Sequence, residues 1–405
     1  MPARPSPPAQ PVRKRAALRI DDVRGAVRLA VDGIGGVTRI AEGLHGTIAR
    51  LAPPVGAAPE RTPGGISGFV YRTVRSGSAL VGAGLDATLA AMQALLRTPG
   101  SDVPAAAEAP QRLAMLAALN GVLGDHLERT GNPLALRMEL APPAAHGPRL
   151  LLLLHGLCLN DLQWTRGGHD HGRALQQAAG WTPVYLRYNS GRHVSHNGAE
   201  LAALLEDLVA RWPVPLERIA ILGHSMGGLV ARSAVHHAHE AGMAWPQRLR
   251  HLVFLGTPHH GAALERAGNW VHAALGVSPY LAPFARLGGL RSDGITDLRH
   301  GNVLEADWQG GRFTHGDTRA IVPLPAGVTC YAVAGILADG TAAQLLGDGL
   351  VSVDSALGRH ARKSHDLHIP ASRTAVLPGV GHLALLESEA VYRRLRRWLG
   401  GAPLR

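Results

Sequence analysis

The feature that most constrains this chain is a series of short, continuously apolar segments in its C-terminal two-thirds. They read RLLLLLHG, PVYLRY, RIAILG, HLVFLG, VTCYAVAG and RTAVLPG. Such segments are typical of central strands in a parallel sheet, whose two faces are both covered by helices. Stretches with helical periodicity such as AELAALLEDLVARW separate several of these segments. The segment LALRMEL, which precedes the first of them, alternates apolar and polar residues and predicts a half-exposed edge strand. The pattern predicts an α/β fold over residues 131–405, with a doubly wound, mostly parallel sheet and helices on both faces.

The N-terminal third lacks these apolar segments. Residues 1–19 are basic and rich in proline, and no apolar core of signal-peptide length follows the charges. We therefore expect a disordered tail in a cytoplasmic protein. Residues 20–130 carry apolar side chains at three- and four-residue steps, which predicts a helical N-terminal region.

One helical stretch of this region raises the question of a membrane. From Ser76 to Leu96 the only charged residue is Asp86, so a membrane span is one interpretation. Asp86 itself and the glycines around it count against a span. The alternatives are helices packed on the rest of the chain and helices that lie at a membrane surface. The sequence leaves this choice open.

Composition argues against several classes of function. The formal net charge is +11, but the basic residues are almost all arginines spread along the chain, and Lys14 and Lys363 are the only lysines. No basic run is interleaved with aromatic residues, which make up only 4% of the chain, so we expect no nucleic-acid partner. Cys158 and Cys330 show no metal-ligand spacing and are expected to be buried thiols rather than a disulfide.

The strongest chemical motif follows the segment RIAIL. Reactive groups in an open α/β sheet collect at the carboxyl ends of the strands. Here Gly223-His224-Ser225-Met226-Gly227 forms the pattern G-x-S-x-G between a predicted strand and a predicted helix. The glycines allow a tight turn that exposes the serine hydroxyl, and the helix N-terminus that follows favours developing negative charge. Ser225 is therefore the candidate nucleophile.

A serine hydroxyl needs a histidine as base, and an acid must orient that histidine. His382 directly follows the last apolar strand and is the candidate base. The loop after VTCYAVAG holds three acids, Asp339, Asp348 and Asp354. Asp339 lies in a sequence typical of a turn and Asp354 in one typical of a helix cap.

Four segments give the chain a resemblance to a known superfamily. They are HGL, GHSMGG, GTPH-x-G and GDGLV. In these segments and in their order the chain resembles the α/β-hydrolase superfamily, and within it bacterial triacylglycerol lipases and PGAP1-like esterase-lipases, over most of residues 133–399. The resemblance implies the order nucleophile, acid, base, and with it Asp348 as the acid between Ser225 and His382.

Acyl transfer also requires an oxyanion hole. The fold implied by the resemblance builds it from two backbone N–H groups, one directly after the nucleophile and one after an early strand. These donors would be Met226 and Leu157. The motif positions that support the two turns are His155, Gly156, Gly223, His224 and Gly227.

Other tracts near the predicted strand ends have two interpretations each. GTPHHG either lines an acyl pocket or shapes the end of its strand. GHDHG, with His169, Asp170 and His171, has no second cluster at ligand spacing, so we expect a polar loop rather than a metal site. NSGRHVSHNG is expected to be a loop over the cleft. An insertion at about 262–327 forms either a cap over the site or additional core.

The sequence thus predicts a serine hydrolase that cleaves carboxylic esters, with lipid-like or otherwise apolar small molecules as substrates. It predicts no cofactor and no metal. One alternative is a thioesterase, amidase or acyltransferase that uses the same residues. Another is a non-catalytic protein whose N-terminal helices bind a membrane or a partner; peripheral membrane contact through these helices is compatible with the hydrolase prediction too.

Overall fold

The computed structural model describes residues 21–33, 110–143, 145–262, 292–309, 319–337 and 347–400, together with positions 76, 79, 83 and 86. The chain divides into two compact units, Met1–Arg112 with Asn132–Leu134 and Leu113–Gly131 with Ala135–Arg405. The predicted tail, most of the helical stretch between residues 34 and 109, and residues 263–291 and 310–318 of the predicted cap lie outside the described residues.

The first unit contains a helix over residues 21–33 that takes part in several ion pairs. The carboxylate of Asp86 accepts hydrogen bonds from Arg24 Nε at 2.9 Å and Arg28 Nη2 at 2.6 Å. Asp22 pairs with Arg112 in the same way. The guanidinium groups of Arg28 and Arg24 hold the pKa of Asp86 below its usual value. Asp86 is thus an ion-pair partner, and no helix among the described residues is long and apolar enough to cross a bilayer.

Seven strands of the second unit form one sheet in the order β1-β3-β2-β4-β5-β6-β7. Strand β1 pairs antiparallel with β3 at the edge, and every other pair is parallel. The predicted mostly parallel sheet is therefore confirmed. The strands are β1 (Glu139–Ala141), β2 (Arg149–Leu154), β3 (Thr182–Arg187), β4 (Arg218–His224), β5 (Leu249–Leu255), β6 (Thr329–Ile336) and β7 (Thr374–Pro378).

Helices connect these strands, as the alternation of patterns predicts. The α-helices are α1 (Pro110–Arg129), α2 (His171–Ala179), α3 (Val194–Ala210), α4 (Met226–Glu240), α5 (Asp293–His300), α6 (Ala306–Gln309), α7 (Val353–Ala356) and α8 (Glu389–Trp398). Short 3-10 helices span Asp161–Trp164, Trp245–Arg248, Ala371–Arg373 and Leu383–Leu386. The tract NSGRHVSHNG, expected to be a loop, ends inside the first turns of α3, because Val194 already begins that helix.

Both faces of the sheet are buried. Alternate strand residues such as Leu151 and Leu222 form a core with Leu175 of α2 and Leu395 of α8. The intervening residues are equally buried on the face where α4 packs on β2, β4 and β5, and α3 packs in turn on α4. A continuous apolar run such as that of β2 is needed because a strand between two helix layers has no solvent-facing side.

Helix α1 belongs to the sheet unit from Leu113 onward, whereas the sequence pattern assigned residues 20–130 to a separate region. Its Gly121 packs so closely on Cys158 that a Cβ at this position would overlap the Cys158 sulfur atom. Ser292 also donates a hydrogen bond of 2.6 Å from Oγ to the Gly121 carbonyl. The periodicity of the sequence predicts the helix, but it does not say which of the two units the apolar face of the helix packs against.

Candidate active site

Ser225 occupies a strained turn between β4 and α4. Its φ of 55° and ψ of −123° are values that residues with a Cβ seldom adopt. The backbone N–H of Ser225 donates to the Leu255 carbonyl at 2.8 Å, and Gly228 donates to the Ser225 carbonyl at 3.1 Å. The sheet and the helix therefore hold the turn from both sides. Ser225 is 1% exposed, and its Oγ forms no hydrogen bond within the described part of the chain.

The two glycines of the motif are required by close approaches. A Cβ on Gly223 would lie 2.5 Å from the backbone nitrogen of Gly228, where the chain turns back into α4. A Cβ on Gly227 would overlap the carbonyl oxygen of Leu154 at the end of β2. The first turn of α4 thus lies directly against the strand that leads into the HGL segment.

The same packing brings the HGL segment and the start of α4, which carry the predicted oxyanion donors, beside Ser225. A Cβ on Gly156 would lie 3.0 Å from the Cβ of Ser225, so the HGL segment passes beside the nucleophile. The backbone N–H groups of Leu157 and Met226 donate to no group among the residues described. Met226 is also the first residue of α4, where the helix dipole favours negative charge. Two unused donors near one hydroxyl are what an oxyanion hole needs.

His382 and Asp348 are joined by a hydrogen bond. His382 Nδ1 donates to Asp348 Oδ2 at 2.7 Å, which places the proton on Nδ1 and leaves Nε2 as the basic nitrogen. Asp348 Oδ1 accepts from the backbone N–H groups of Leu350 and Val351 at 3.0 and 2.9 Å. His382 also donates its backbone N–H to the Asp348 carbonyl. Both side chains are buried, so the carboxylate has a fixed orientation.

The other two candidate acids differ from Asp348. Asp354 lies in the first turn of α7, and its nearest cation is Arg359 at 3.8 Å. Both of these side chains are more than half exposed. Asp339 lies outside the described residues.

Strand β5 and His224 bring Ser225 and His382 into one neighbourhood. Leu255 accepts the N–H of Ser225, and a Cβ on the next residue, Gly256, would lie 2.9 Å from Asp348 Oδ2 and 3.1 Å from His382 Cε1. His224 Nε2 donates to the His382 carbonyl at 3.0 Å, and the two rings are 4.8 Å apart. Burial lowers the pKa of His224 well below its usual value, which keeps it neutral.

His155 has a structural role in the neighbouring turn. Its Nδ1 lies 2.8 Å from the Gly156 carbonyl, and its ring stacks on Tyr188 at 4.2 Å. Tyr188 donates its N–H to His155 Nε2 and its hydroxyl to the His155 carbonyl. Burial lowers the pKa of His155 to about 4. Sequence reasoning missed Tyr188, although it stands at the carboxyl end of β3, where functional groups are expected.

The GHDHG tract forms a polar network at the start of α2. Asp170 caps the helix by accepting from Arg173 N at 3.0 Å and also accepts the Tyr185 hydroxyl. His171 Nε2 lies 2.9 Å from the Leu385 carbonyl, and its Nδ1 lies 2.8 Å from His169 Nε2. Among the described residues, no group of three or more histidines, cysteines and acids could hold a metal ion. Cys158 and Cys330 are both buried free thiols.

One comparison with known proteins covers the serine turn. A family model described as the PGAP1-like alpha/beta domain matches residues 190–313. The strand order, the parallel pairing and a G-x-S-x-G turn between a strand and a helix belong together in one architecture. The chain has the α/β-hydrolase fold. The expectation that the resemblance raised for the fold is therefore confirmed.

Several solved structures are similar to parts of the chain. The lipase BlEst2 of Bacillus licheniformis in mature form is 18% identical, with 65% of this chain and 98% of that chain covered and a TM-score of 0.42. A gene product from Listeria innocua is 15% identical, with 64% and 96% covered and a TM-score of 0.36. A thermophilic esterase from Thermogutta terrifontis is 17% identical, with 65% and 93% covered and a TM-score of 0.37. The comparison with curated proteins gives no match.

Proposed function

We propose that this protein is a serine hydrolase that cleaves carboxylic esters, with Ser225, His382 and Asp348 as its catalytic residues. The observation that carries the proposal is the hydrogen-bonded pair of Asp348 and His382 beside a serine on a strained turn. A buried carboxylate on Nδ1 is the arrangement that makes the other ring nitrogen a general base.

The reaction follows from the positions of these groups. Ser225 Oγ attacks the acyl carbon while His382 Nε2 takes its proton, and the Leu157 and Met226 N–H groups stabilise the oxyanion. His382 then returns the proton to the alcohol, which leaves and creates an acyl ester on Ser225. Water attacks this ester with His382 as base, and the acid product departs. No cofactor is needed for any step.

The surroundings of the pair favour apolar substrates. Leu337 is 58% exposed at the end of β6, and a Cβ on Gly349 or Gly381 would lie 3.1 or 3.5 Å from its side chain. Gly349 and Gly381 are the chain neighbours of Asp348 and His382. An exposed leucine beside the catalytic groups provides a surface for an acyl chain or an apolar alcohol.

A series of p-nitrophenyl esters from acetate to palmitate tests the proposal. We expect hydrolysis by the intact protein and a loss of kcat by a factor of about 10⁶ in Ser225→Ala and in His382→Ala, as in other serine hydrolases. The acyl length with the highest kcat/KM then reports the apolar surface. Thioester, amide and alcohol-acceptor panels distinguish ester hydrolysis from the other acyl-transfer reactions.

Matched variants make this test specific. His239→Gln changes a histidine that is exposed near the end of α4, and it should retain full activity. A fluorophosphonate probe should label the intact protein and not Ser225→Ala. Ester hydrolysis that persists unchanged in Ser225→Ala would refute the proposal.

We further propose a cytoplasmic location with peripheral membrane contact through the N-terminal helices, on the grounds of the sequence pattern alone. Cell fractionation tests the location. Flotation of the full chain with liposomes tests the contact, and the absence of co-flotation would refute it.

A further inference from the structure

A cleft lies apart from Ser225, lined by α4 and by residues 301–307, 319–323 and 363–368. It has a volume of about 220 Å³. Its basic lining residues are Arg232, Arg319, Lys363, His259, His260, His365 and His368. Arg232 is six residues after Met226, which places it about 9 Å further along the helix axis than the start of α4. None of the proposed catalytic residues lines this cleft.

Arg232 is a buried cation without a carboxylate partner within the described residues. The residue is only 7% exposed, and its Nη2 donates a hydrogen bond to the Val322 carbonyl at 2.8 Å. Nη1 lies 3.4 Å from His259 Nδ1. The buried Nε has no hydrogen-bond partner in the described part of the structure. A buried guanidinium with an unused donor is costly unless an acceptor binds it.

His259 adds a second unused donor next to Arg232. A guanidinium can only donate, so the Nδ1 that faces it acts as acceptor and the proton is on Nε2. That Nε2 is buried and has no partner among the residues described. Burial and the neighbouring Arg232 lower the pKa of His259 well below its usual value, in agreement with a neutral ring.

The two acids that line the cleft are occupied by other donors. Asp307 accepts the backbone N–H groups of Val303, Leu304 and Ala320. Asp366 accepts the backbone N–H groups of His360 and His368. Their carboxylates therefore hold loops in place, and neither forms an ion pair with Arg232 among the described residues, although the charge of Asp307 favours the protonated guanidinium.

We propose that this cleft binds a phosphate group, carried either by a soluble compound or by a lipid headgroup. Arg232 and His259 contribute donors from the inner wall, and Lys363 contributes a positive charge from the exposed rim. Arg319 adds its charge while its Nη1 holds the His259 carbonyl at 2.9 Å. Donors from separate segments around one small cleft suit a tetrahedral oxyanion, which accepts hydrogen bonds in several directions. The site acts in binding, and its existence does not depend on the proposed ester hydrolysis.

Isothermal titration calorimetry of the full chain with inorganic phosphate, at constant ionic strength, tests the proposal. We expect saturable binding that Arg232→Gln weakens by about tenfold or more, because a hydrogen-bonded buried charge is lost. Lys363→Glu should weaken binding by about fivefold or more, through charge reversal at the rim. Arg211→Glu, with the same charge change at an exposed site on the C-terminal side of α3, should bind phosphate as the unaltered chain does.

Flotation with phosphatidylcholine vesicles, with and without phosphatidic acid, forms the second arm. Capture that requires both phosphatidic acid and Lys363 supports a lipid headgroup as the source of the phosphate. Binding of inorganic phosphate alone supports a soluble source. Absence of binding in both arms overturns the proposal, and so does binding that Lys363→Glu and Arg211→Glu alter equally. Lys363 is exposed, so its variant remains informative if Arg232→Gln does not fold.

Discussion

The two groups of buried histidines in this protein differ in what their ring nitrogens contact. Around Ser225, His382 donates to a carboxylate and His224 donates to a backbone carbonyl. In the second cleft, His259 instead faces the guanidinium of Arg232, and its other ring nitrogen has no partner among the described residues. In the first group the ring N–H of each histidine has an acceptor, which holds the rings in one geometry. The second has donors in excess, which is the condition for binding an anion.

Removing the carboxylate of the first group should have the largest effect. Asp348→Asn retains the size of the side chain but favours the wrong tautomer of His382, so we expect kcat for ester hydrolysis to fall by about 10⁴-fold. Steady-state kinetics measure the change. Asp354→Asn is the matched control and should retain activity, because the Asp354 side chain is exposed and pairs with Arg359 instead. Equal losses in the two variants would contradict the assignment.

The turn that carries the first group should be intolerant of a single methyl group. Gly227→Ala places a Cβ against the Leu154 carbonyl, a backbone atom that cannot move aside, and we expect a loss of about 3 kcal/mol or more in the free energy of unfolding. Urea denaturation measures it. Gly33→Ala has open space around its Cβ and should change stability by less than about 1 kcal/mol. A tolerated Gly227→Ala would mean that the helix is not held against β2.

Both groups should make folding sensitive to acid. Burial lowers the pKa of His155 to about 4 and that of His259 well below its usual value, whereas both protonate near pH 6.5 when unfolded. Above that pH both histidines are neutral in the folded and in the unfolded state, so they do not change the free energy of unfolding. Below it the unfolded state binds protons that the folded state does not, and the free energy of unfolding falls. Each should contribute about 1.4 kcal/mol per pH unit.

Urea unfolding at several pH values between about 7 and about 5 measures this slope. His259→Gln retains an acceptor for Arg232 but cannot be protonated. It should therefore reduce the slope of the free energy of unfolding against pH by the contribution of one proton, about 1.4 kcal/mol per pH unit. A slope that does not change would show that His259 does not remain neutral in the folded protein.

The smallest effect is expected for His224. His224→Gln weakens the hydrogen bond to the His382 carbonyl, which positions His382 without contacting the substrate. We expect kcat to fall by about five- to tenfold with KM nearly unchanged, as for the loss of one hydrogen bond. His224→Asn, with a shorter reach, should lose more than the Gln variant. An increase in KM alone would assign His224 to substrate binding instead.

Local patterns carried much of the prediction. The continuous apolar runs predict the sheet because a strand covered on both faces has no polar side, and the glycines around Ser225 predict the tight turn at the end of β4. For helix α1 the periodicity predicts the helix, but the pattern within the helix does not say which unit its apolar face packs against. The polar and glycine residues of NSGRHVSHNG predicted a loop, but α3 begins within this tract, because such residues also occur in the buried first turns of a helix.

The sequence by itself determined the α/β class, the strand-turn-helix at Ser225 and the position of His382 after the last strand. These depend on neighbours along the chain. Only the tertiary structure decided that Asp348 meets His382, that Tyr188 and Gly256 adjoin the site, and that Arg232 faces His259 in a second cleft. These contacts join residues that are far apart in the sequence. Hydrogen bonds and close packing depend on distances between such residues, and a local sequence pattern does not determine those distances.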